Sequence, residues 1–320
     1  VLLGHGQCIL QLDISGEAKS SFALCNGSNC TTASIPLNIS ILEPIISVGS
    51  YRNDSGGYAP IAYTSNNNGA NWALGNGGAV LTLPSNSQTG SNAITQLQSV
   101  ACSSSGLQCT AVGFYQRTNQ SSAPLLSYNT NNAGANWSLG APFPEPQLSA
   151  GSSFFLSSVA CDATGLRCST VGSYRSTSSN SVPLSYSSNN GGNSWSLSSP
   201  LPLPADILTT ASASSTLASN SCDNSALLCT AVGYYKKGTG ANHATSDANV
   251  PLSYTSINGG DSWSLSSTLP LPADVLTTNS ASTLLSAVAC DLSGQVCTAV
   301  GYYKKGSGAN HATYNGRAPL

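Results

Sequence analysis

Short runs rich in Val, Thr, Tyr and Leu alternate with polar stretches of Ser, Asn, Gly and Pro along most of the chain. From Ser99, the chain reads SVAC, a polar turn, CTAVGFY, a variable stretch, APLLSY, a second polar turn and WSL. Runs of this length between turn-forming residues predict β-strands, and no helical period competes with them. We therefore predict an all-β protein built from blocks of four short antiparallel strands.

The block is repeated. Copies follow from Ser158, Ser221 and Ala287, and an earlier copy lacks the cysteine hairpin but keeps the run Ile46–Tyr51. A repeat of this kind is typical of arrays of one supersecondary unit. We place blocks near residues 45–80, 97–145, 156–200, 219–268 and 285–320, after an N-terminal strand segment, 1–44. The last block is expected to stop after two strands, because Pro319 and Leu320 match the start of strand three.

An eight-residue phrase that ends in Trp occurs four times and uses every Trp of the chain. It has Ser or Thr first, Asn third, Gly fifth and Trp eighth. Its Asn and Trp residues are Asn67 and Trp72, Asn132 and Trp137, Asn190 and Trp195, and Asn258 and Trp263. We expect each Asn to bond to its own turn and each Trp to be buried between neighbouring blocks.

The phrase resembles the Asp-box, or BNR repeat, of sialidases, sortilin-type receptors and other β-propellers, whose pattern is Ser/Thr-x-Asp-x-Gly-x-Thr-Trp. The resemblance implies a propeller of four-stranded blades, about five of them visible, with the phrase as the turn between strands three and four. It also implies a structural role for the phrase, away from any active face. The chain departs from the pattern in having Asn at the Asp position, which keeps a turn acceptor and loses its charge.

Eleven cysteines include four pairs with the same six-residue gap. Turn formers within each gap predict hairpin disulfides between strands one and two, because neither clustered Cys pairs nor His partners support a metal site. The pairs are Cys102 and Cys109, Cys161 and Cys168, Cys222 and Cys229, and Cys290 and Cys297, with Cys25 and Cys30 as a shorter fifth pair. Disulfides place the protein outside the cytosol. Cys8 is left over, which favours an intermolecular bond or a different pairing near the N-terminus.

Charge is scarce. Charged residues are 7% of the chain and the net charge is −2, which argues against nucleic acid or an anionic membrane as an electrostatic partner. No apolar run is long enough to span a bilayer. The chain opens on Val1 and contains no Met, so we expect a processed or partial product.

Asn-x-Ser/Thr sequons mark candidate glycosylation sites, although a chain rich in Asn and Ser also produces them by chance. They begin at Asn26, Asn29, Asn38, Asn53, Asn119 and Asn136.

Catalytic residues are not evident. Sialidases use three arginines, a Tyr–Glu pair, an Asp acid and an Arg-Ile-Pro signature, and none of the five arginines here lies in Arg-Ile-Pro. The glutamates are Glu17, Glu43 and Glu145, which do not form an evident pair of carboxylates for glycoside hydrolysis. We therefore predict no enzymatic activity, no cofactor and no metal.

Two twin segments, residues 236–243 and 304–311, carry Lys-Lys and end in His243 and His311. They are either solvated loops copied by duplication of a blade or basic loops that contact an acidic sugar or a partner. The recurring tyrosines are interpreted mainly as core residues, with sugar stacking as the alternative.

Taken together, these features predict a secreted or cell-surface, disulfide-bonded propeller that acts as a structural, fibre-forming or adhesive subunit. The alternative is a carbohydrate-binding module or a degenerate glycosidase. N-terminal strands around Cys8–Ile14 and Ser20–Leu24 are expected to complete the last blade around Ala287–Tyr303. Pairing between molecules, closure within one molecule and a fragment of a larger propeller all stay open, with a slight preference for the first.

Overall fold

A computed structural model describes residues 43–320 except 119–122, 147–152, 176–179, 211–212, 244, 277 and 279–280. It also describes the backbone of residues 2–3, 7–8, 22–26 and 29–33. The chain divides into two compact units, Val1–Glu43 and Pro44–Leu320.

The first unit contains two antiparallel strand pairs. The pairs are β1 (Leu2–Leu3) with β2 (Gln7–Cys8), and β3 (Phe22–Asn26) with β4 (Asn29–Ala33). Cys25 lies directly opposite Cys30 in the second pair. The predicted bond between their side chains, and the residues Ile9–Ile14, Ser20 and Ser21, lie outside the described residues.

The second unit consists of five antiparallel sheets in chain order. The first sheet contains β5 (Ile45–Arg52), β6 (Tyr58–Ser65) and β7 (Ala73–Leu74). The second contains β8 (Thr95–Cys102), β9 (Cys109–Tyr115), β10 (Leu125–Thr130) and β11 (Ser138–Leu139). The third contains β12 (Ser153–Cys161), β13 (Cys168–Arg175), β14 (Ser181–Ser188) and β15 (Ser196–Leu197). The fourth contains β16 (Ser215–Cys222), β17 (Cys229–Thr239), β18 (Thr245–Ser256) and β19 (Ser264–Leu265). The fifth contains β20 (Thr283–Cys290), β21 (Cys297–Ser307) and β22 (Thr313–Pro319).

Each sheet is a simple meander, and neighbouring sheets contact one another mainly near their first strands, as β8, β12, β16 and β20 do in succession. This arrangement is that of β-propeller blades, as predicted. The cysteine turns join strands one and two, and the Trp phrases join strands three and four. We call the sheet ends that carry both features the box rim, and the opposite ends the loop rim.

A Val-Gly pair recurs in the second strand of each sheet, and in sheets two to five the first strand bulges opposite it. In the third sheet the register shifts between Leu156 and Ser158, opposite Gly172 and Val171. A Cβ atom at Gly172 would lie 1.9 Å from the carbonyl oxygen of Phe155. No side chain fits there, so the bulge requires glycine.

The first and last sheets each have three strands, and they differ in which strand is missing. The motif Val48-Gly49 in β5 matches the second strand of the other sheets, so the first sheet has strands two to four. The last sheet has strands one to three. The described array therefore ends in two free strand edges, β5 and β22.

The prediction that the last block stops after two strands is wrong. A tight turn over Ala309–His311 reverses the chain, and Ser307 pairs with Thr313, so strand three begins six residues before Pro319. The N-terminal strands pair as two hairpins, and the last sheet is ordered β20-β21-β22 in the part of the chain that the structure describes. In the last sheet β21 lies between β20 and β22, and the predicted completion of this sheet by N-terminal strands stays a prediction.

Candidate functional site

The Trp phrase is a turn held by its own side chains. In the first copy, Ser65 Oγ accepts the Gly69 amide at 2.9 Å, and Asn67 Oδ1 accepts the Asn71 amide at 2.8 Å. The glycine has a φ of +82°, which other residues rarely adopt. The same Asn bond recurs at Asn132, Asn190 and Asn258, so each copy of the turn is held in the same way.

Three of the four tryptophans form the seams between sheets. Each packs on the preceding sheet and is 6% exposed: Trp137, Trp195 and Trp263. The indole of Trp195 donates to Ser127 Oγ at 3.1 Å, and that of Trp263 donates to Ser185 Oγ at 3.0 Å. The side of each internal sheet is therefore covered by its successor.

Trp72 is 45% exposed, and the prediction that it is buried is wrong. It belongs to the first sheet, and the other three rings are buried by the sheet that precedes their own. No sheet precedes β5 in the described part of the second unit, so the ring has no surface to cover it. Tyr63 on the same sheet is also exposed, whereas its counterparts Tyr128, Tyr186 and Tyr254 are fully buried.

The opposite end of the array is uncovered as well. The Val of the Val-Gly pair is at most 1% exposed in the second, third and fourth sheets, where it packs towards the following sheet. Its counterpart in the last sheet, Val300, is 51% exposed. We call the surface around Trp72 the leading face and the surface around Val300 the trailing face.

Four disulfides join the first and second strands of sheets two to five. Their cysteines lie directly opposite one another in the hairpin register, with Cα atoms 4.0 Å apart, and they are the four pairs that the sequence spacing predicts. Cys109 and Cys168 are buried in the seams with the preceding sheets, whereas Cys297 in the last sheet is exposed.

The loop rim of the second and third sheets holds a charged cavity. Arg117 and Glu145 form an ion pair of 2.6 Å at its edge, beside Tyr115, Phe143 and Tyr186. The Tyr186 hydroxyl donates to the carbonyl of Pro144 at 3.0 Å, and burial raises the pKa of Tyr186. The Glu145 carboxylate is thus paired with Arg117, and the other residues that line this cavity are Tyr, Phe, Pro and Leu.

The box rim has a more polar groove between the third and fourth sheets. Arg167, Asn258 and Asp261 line it together with serine hydroxyls, and Ser187 Oγ donates to Asp261 at 2.5 Å. Among the described residues, no group of three or more His, Cys, Asp or Glu side chains is placed to hold a metal ion. In the same residues, no helix is long and apolar enough to cross a membrane.

Two of the candidate glycosylation sites have described side chains. Asn53 Oδ1 accepts the Gly57 amide at 3.0 Å, whereas Asn136 is exposed in the second box. Asn26 and Asn29 are described only as backbone, and Asn38 and Asn119 lie outside the described residues.

The leading and trailing faces were not predicted from the sequence. The sequence does distinguish these two copies from the others, because the first Val-Gly motif has no cysteine hairpin before it and no box follows the last one in the sequence given. Terminal members of an array have one neighbour instead of two, so one copy of each repeated core residue loses its cover.

No protein-family model matches the chain, and no curated protein matches it. Among solved structures, a Trypanosoma rangeli sialidase mutant with trans-sialidase activity is similar over 90% of this chain and 47% of its own, with 13% identity and a TM-score of 0.45. YCF48 bound to a D1 peptide is similar over 89% of this chain and 74% of its own, with 12% identity and a TM-score of 0.37. A fucose-specific lectin from Aleuria aurantia is similar over 82% and 71%, with 13% identity and a TM-score of 0.35. The chain spans about half the length of the sialidases, and we draw no functional argument from these similarities.

Proposed function

We propose that this protein is a non-enzymatic, secreted β-propeller that serves as an extracellular structural or adhesive subunit, assembled by contacts between copies. The supporting observation is the pair of uncovered end faces. Trp72 and Val300 are exposed at positions that the internal seams bury, so each face presents a surface that the same chain covers elsewhere.

The two faces are complementary in kind. An internal seam joins the Val side of one sheet to the Trp side of the next, as Val171 and Trp263 do between the third and fourth sheets. The trailing face carries the Val side and the leading face carries the Trp side. Joining them between molecules makes a head-to-tail contact, which forms a ring or an open filament.

Free strand edges support the same proposal. β5 and β22 each leave one edge without a partner strand in the described array, and such edges template pairing with another chain. The N-terminal hairpins of the same molecule or of a neighbour are the available strands. Four disulfides, one in each of sheets two to five, suit a durable object outside the cell.

The experiment is negative-stain microscopy with light scattering on the purified chain and on the W72R and V300D variants. Both positions are exposed in the unit, so we expect folded variants that lose assembly. Ile257→Arg is the matched control, since Ile257 is exposed on a box turn away from both faces. A wild-type chain that stays monomeric at high concentration, or assembly unchanged in both variants, would overturn the proposal.

Carbohydrate binding is a second candidate function, favoured by the polar groove on the box rim. Guanidinium, carboxylate, amide and hydroxyl groups converge there, and such groups recognise sugar hydroxyls. Binding of neutral glycans on an array, lost in Asp261→Ala and retained in Asp206→Ala, would support it. Absence of binding by the wild-type chain would reject it.

A further inference from the structure

Four of the five lysines of this chain lie in two short segments on the loop rim. The lysines are Lys236, Lys237, Lys304 and Lys305. In a chain with only 7% charged residues, this concentration is the largest local excess of positive charge in the sequence. We call residues 236–243 with 245–249, and residues 304–317, the lysine loops.

Both lysine loops have the same fixed backbone. Each second strand continues beyond the sheet core and turns through an Asn with φ of 54° and ψ of 28°, at Asn242 and at Asn310. The Gly238 amide donates to the carbonyl of Asp206 at 2.8 Å, and the Gly306 amide donates to that of Asp274 at 2.8 Å. Because the backbone is anchored to the rim, binding loses less conformational entropy than it would with flexible loops.

The lysine loops form one surface. Asn249, at the end of the first loop, donates its amide to Ala281 in the linker between the fourth and fifth sheets. The same linker contains Asp274, which anchors the second loop. The loops are therefore joined through one linker on one rim.

The acidic residues present neutralise only part of the charge. Lys237 lies 3.9 Å from Asp206, and Lys305 lies 3.0 Å from Asp274. Hydrogen bonds from Tyr303 and Lys305 lower the pKa of Asp274 and keep it ionised. By sequence, the two loops and their partners Asp206 and Asp274 contain five cations and three carboxylates when Arg317 and Asp247 are included, an excess of two positive charges on a chain of net charge −2.

Exposed aromatic rings accompany these cations. Tyr314 is 55% exposed and lies under Lys304, with Nζ 5.9 Å from the ring centroid. The Arg317 guanidinium lies 4.8 Å from the ring centroid of Tyr302. Cations beside aromatic faces suit a ligand that has both anionic groups and pyranose rings.

We propose that the lysine loops bind an acidic polysaccharide through its sulfate or carboxylate groups. An excess of two charges is small for nucleic acid, whose binding rests on many phosphate contacts. The helical segments of the described loops are three-residue turns, Ala241–His243 and Ala309–His311, which are too short to insert into a membrane surface. The binding groups are side chains of the loop rim, so the proposal does not depend on assembly, and residues 313–317 of the second loop also belong to β22.

The test measures binding of heparin and of alginate to the intact chain, with neutral dextran, single-stranded DNA and phosphatidylserine vesicles as comparisons. We expect Lys236→Gln/Lys304→Gln to lower polysaccharide affinity about tenfold, since two charge pairs are removed. The matched control is Arg52→Gln/Arg175→Gln, which removes the same charge from the first and third sheets and should change affinity less than about twofold. Lys236→Arg/Lys304→Arg should retain binding.

Three outcomes would overturn the proposal. They are binding of heparin and alginate no tighter than dextran, tighter binding of DNA or vesicles than of either polysaccharide, and equal losses in the lysine and arginine variants. Thermal unfolding of each variant shows whether the fold is intact. If the Gln variant unfolds, the charge-reversing pair Lys236→Glu/Lys304→Glu replaces it, and unchanged affinity in that pair also overturns the proposal.

Discussion

Equivalent residues of the repeat contribute differently to the free energy of unfolding, because some are covered by a neighbouring sheet and others are exposed. Trp195 is buried on the second sheet and donates to Ser127, whereas Trp72 is exposed. Truncation of Trp195 to Ala should lower the free energy of unfolding by about 3–5 kcal/mol, because it leaves a cavity. Trp72→Ala should cost less than about 1 kcal/mol in the unassembled chain. Guanidinium unfolding measures both values, and equal losses would show that Trp72 is covered in solution.

One seam contains a polar group without a partner. The Trp137 indole nitrogen is buried and makes no hydrogen bond in the structure. The corresponding nitrogens of Trp195 and Trp263 bond to Ser127 and Ser185, and the matching residue on the first sheet is Ala62. The seam between the first and second sheets therefore lacks the serine hydroxyl that accepts the indole N–H in the next two seams.

Ala62→Ser should supply that hydroxyl and raise the free energy of unfolding by about 1 kcal/mol. Ser127→Ala is the reciprocal variant, which should destabilise by about 1–3 kcal/mol because it leaves the Trp195 nitrogen unpaired. Denaturant unfolding of the two variants provides the measurement. Destabilisation by Ala62→Ser would mean that the seam has no room for the hydroxyl.

At the scale of elements, each cysteine pair closes a hairpin whose strands already pair. The closed loop is short, so Cys161→Ala/Cys168→Ala should lower the free energy of unfolding by about 2–3 kcal/mol.

Cys168 is buried and Cys297 is exposed, so mild reductant should open the Cys290–Cys297 bond first. Mass spectrometry of alkylated peptides gives the order of reduction. Cross-links between sheets in unreduced peptide maps would contradict the strand assignment.

Neighbouring sheets are also tied by serines at the bulge of their first strands. Ser99, Ser158 and Ser219 each accept a backbone amide from the first strand of the next sheet, at 3.1–3.2 Å. The last sheet has Ala287 at this position. A partner that covers the trailing face thus cannot use this bond, so that contact depends on apolar residues such as Val300.

Sequence pattern predicted the elements because each is determined locally. Strand runs, cysteine turns and box turns are encoded within a few residues, as the bond from Asn67 to its own turn illustrates. The third strand of the last sheet was missed because its sequence, TYNGRAP, has a Gly and few β-branched residues. β22 forms because it pairs with β21, and this pairing cannot be inferred from the amino-acid composition of β22 alone.

At the scale of the whole molecule, sequence could not show which copies of a repeated residue are covered. Trp72 and Trp263 occupy equivalent phrases and differ in exposure only because of their neighbours. The leading and trailing faces are therefore exposed because the first and last sheets lie at the ends of the array. The same holds for the lysine loops, whose sequence is repeated but whose joining by the linker at Ala281 requires the fold.

Deletion of residues 1–30 tests what completes the array. The second unit has its own apolar clusters, so it should keep its sheets when the segment is removed. If N-terminal strands of one molecule cover an end of another, the deletion should abolish assembly. If they cover an end of their own molecule, the deletion should open the array and accelerate proteolysis at the leading or trailing face.

Circular dichroism, light scattering and limited proteolysis distinguish these results, and the V300D variant of the full chain is the comparison for an uncovered end. Addition of the separate peptide of residues 1–30 should restore the lost property, because strand pairing needs no covalent connection. A deleted chain that is folded, resistant to protease and unchanged in oligomeric state would contradict both arrangements. The exposed Trp72 and Val300 would then be surfaces for a partner other than this chain.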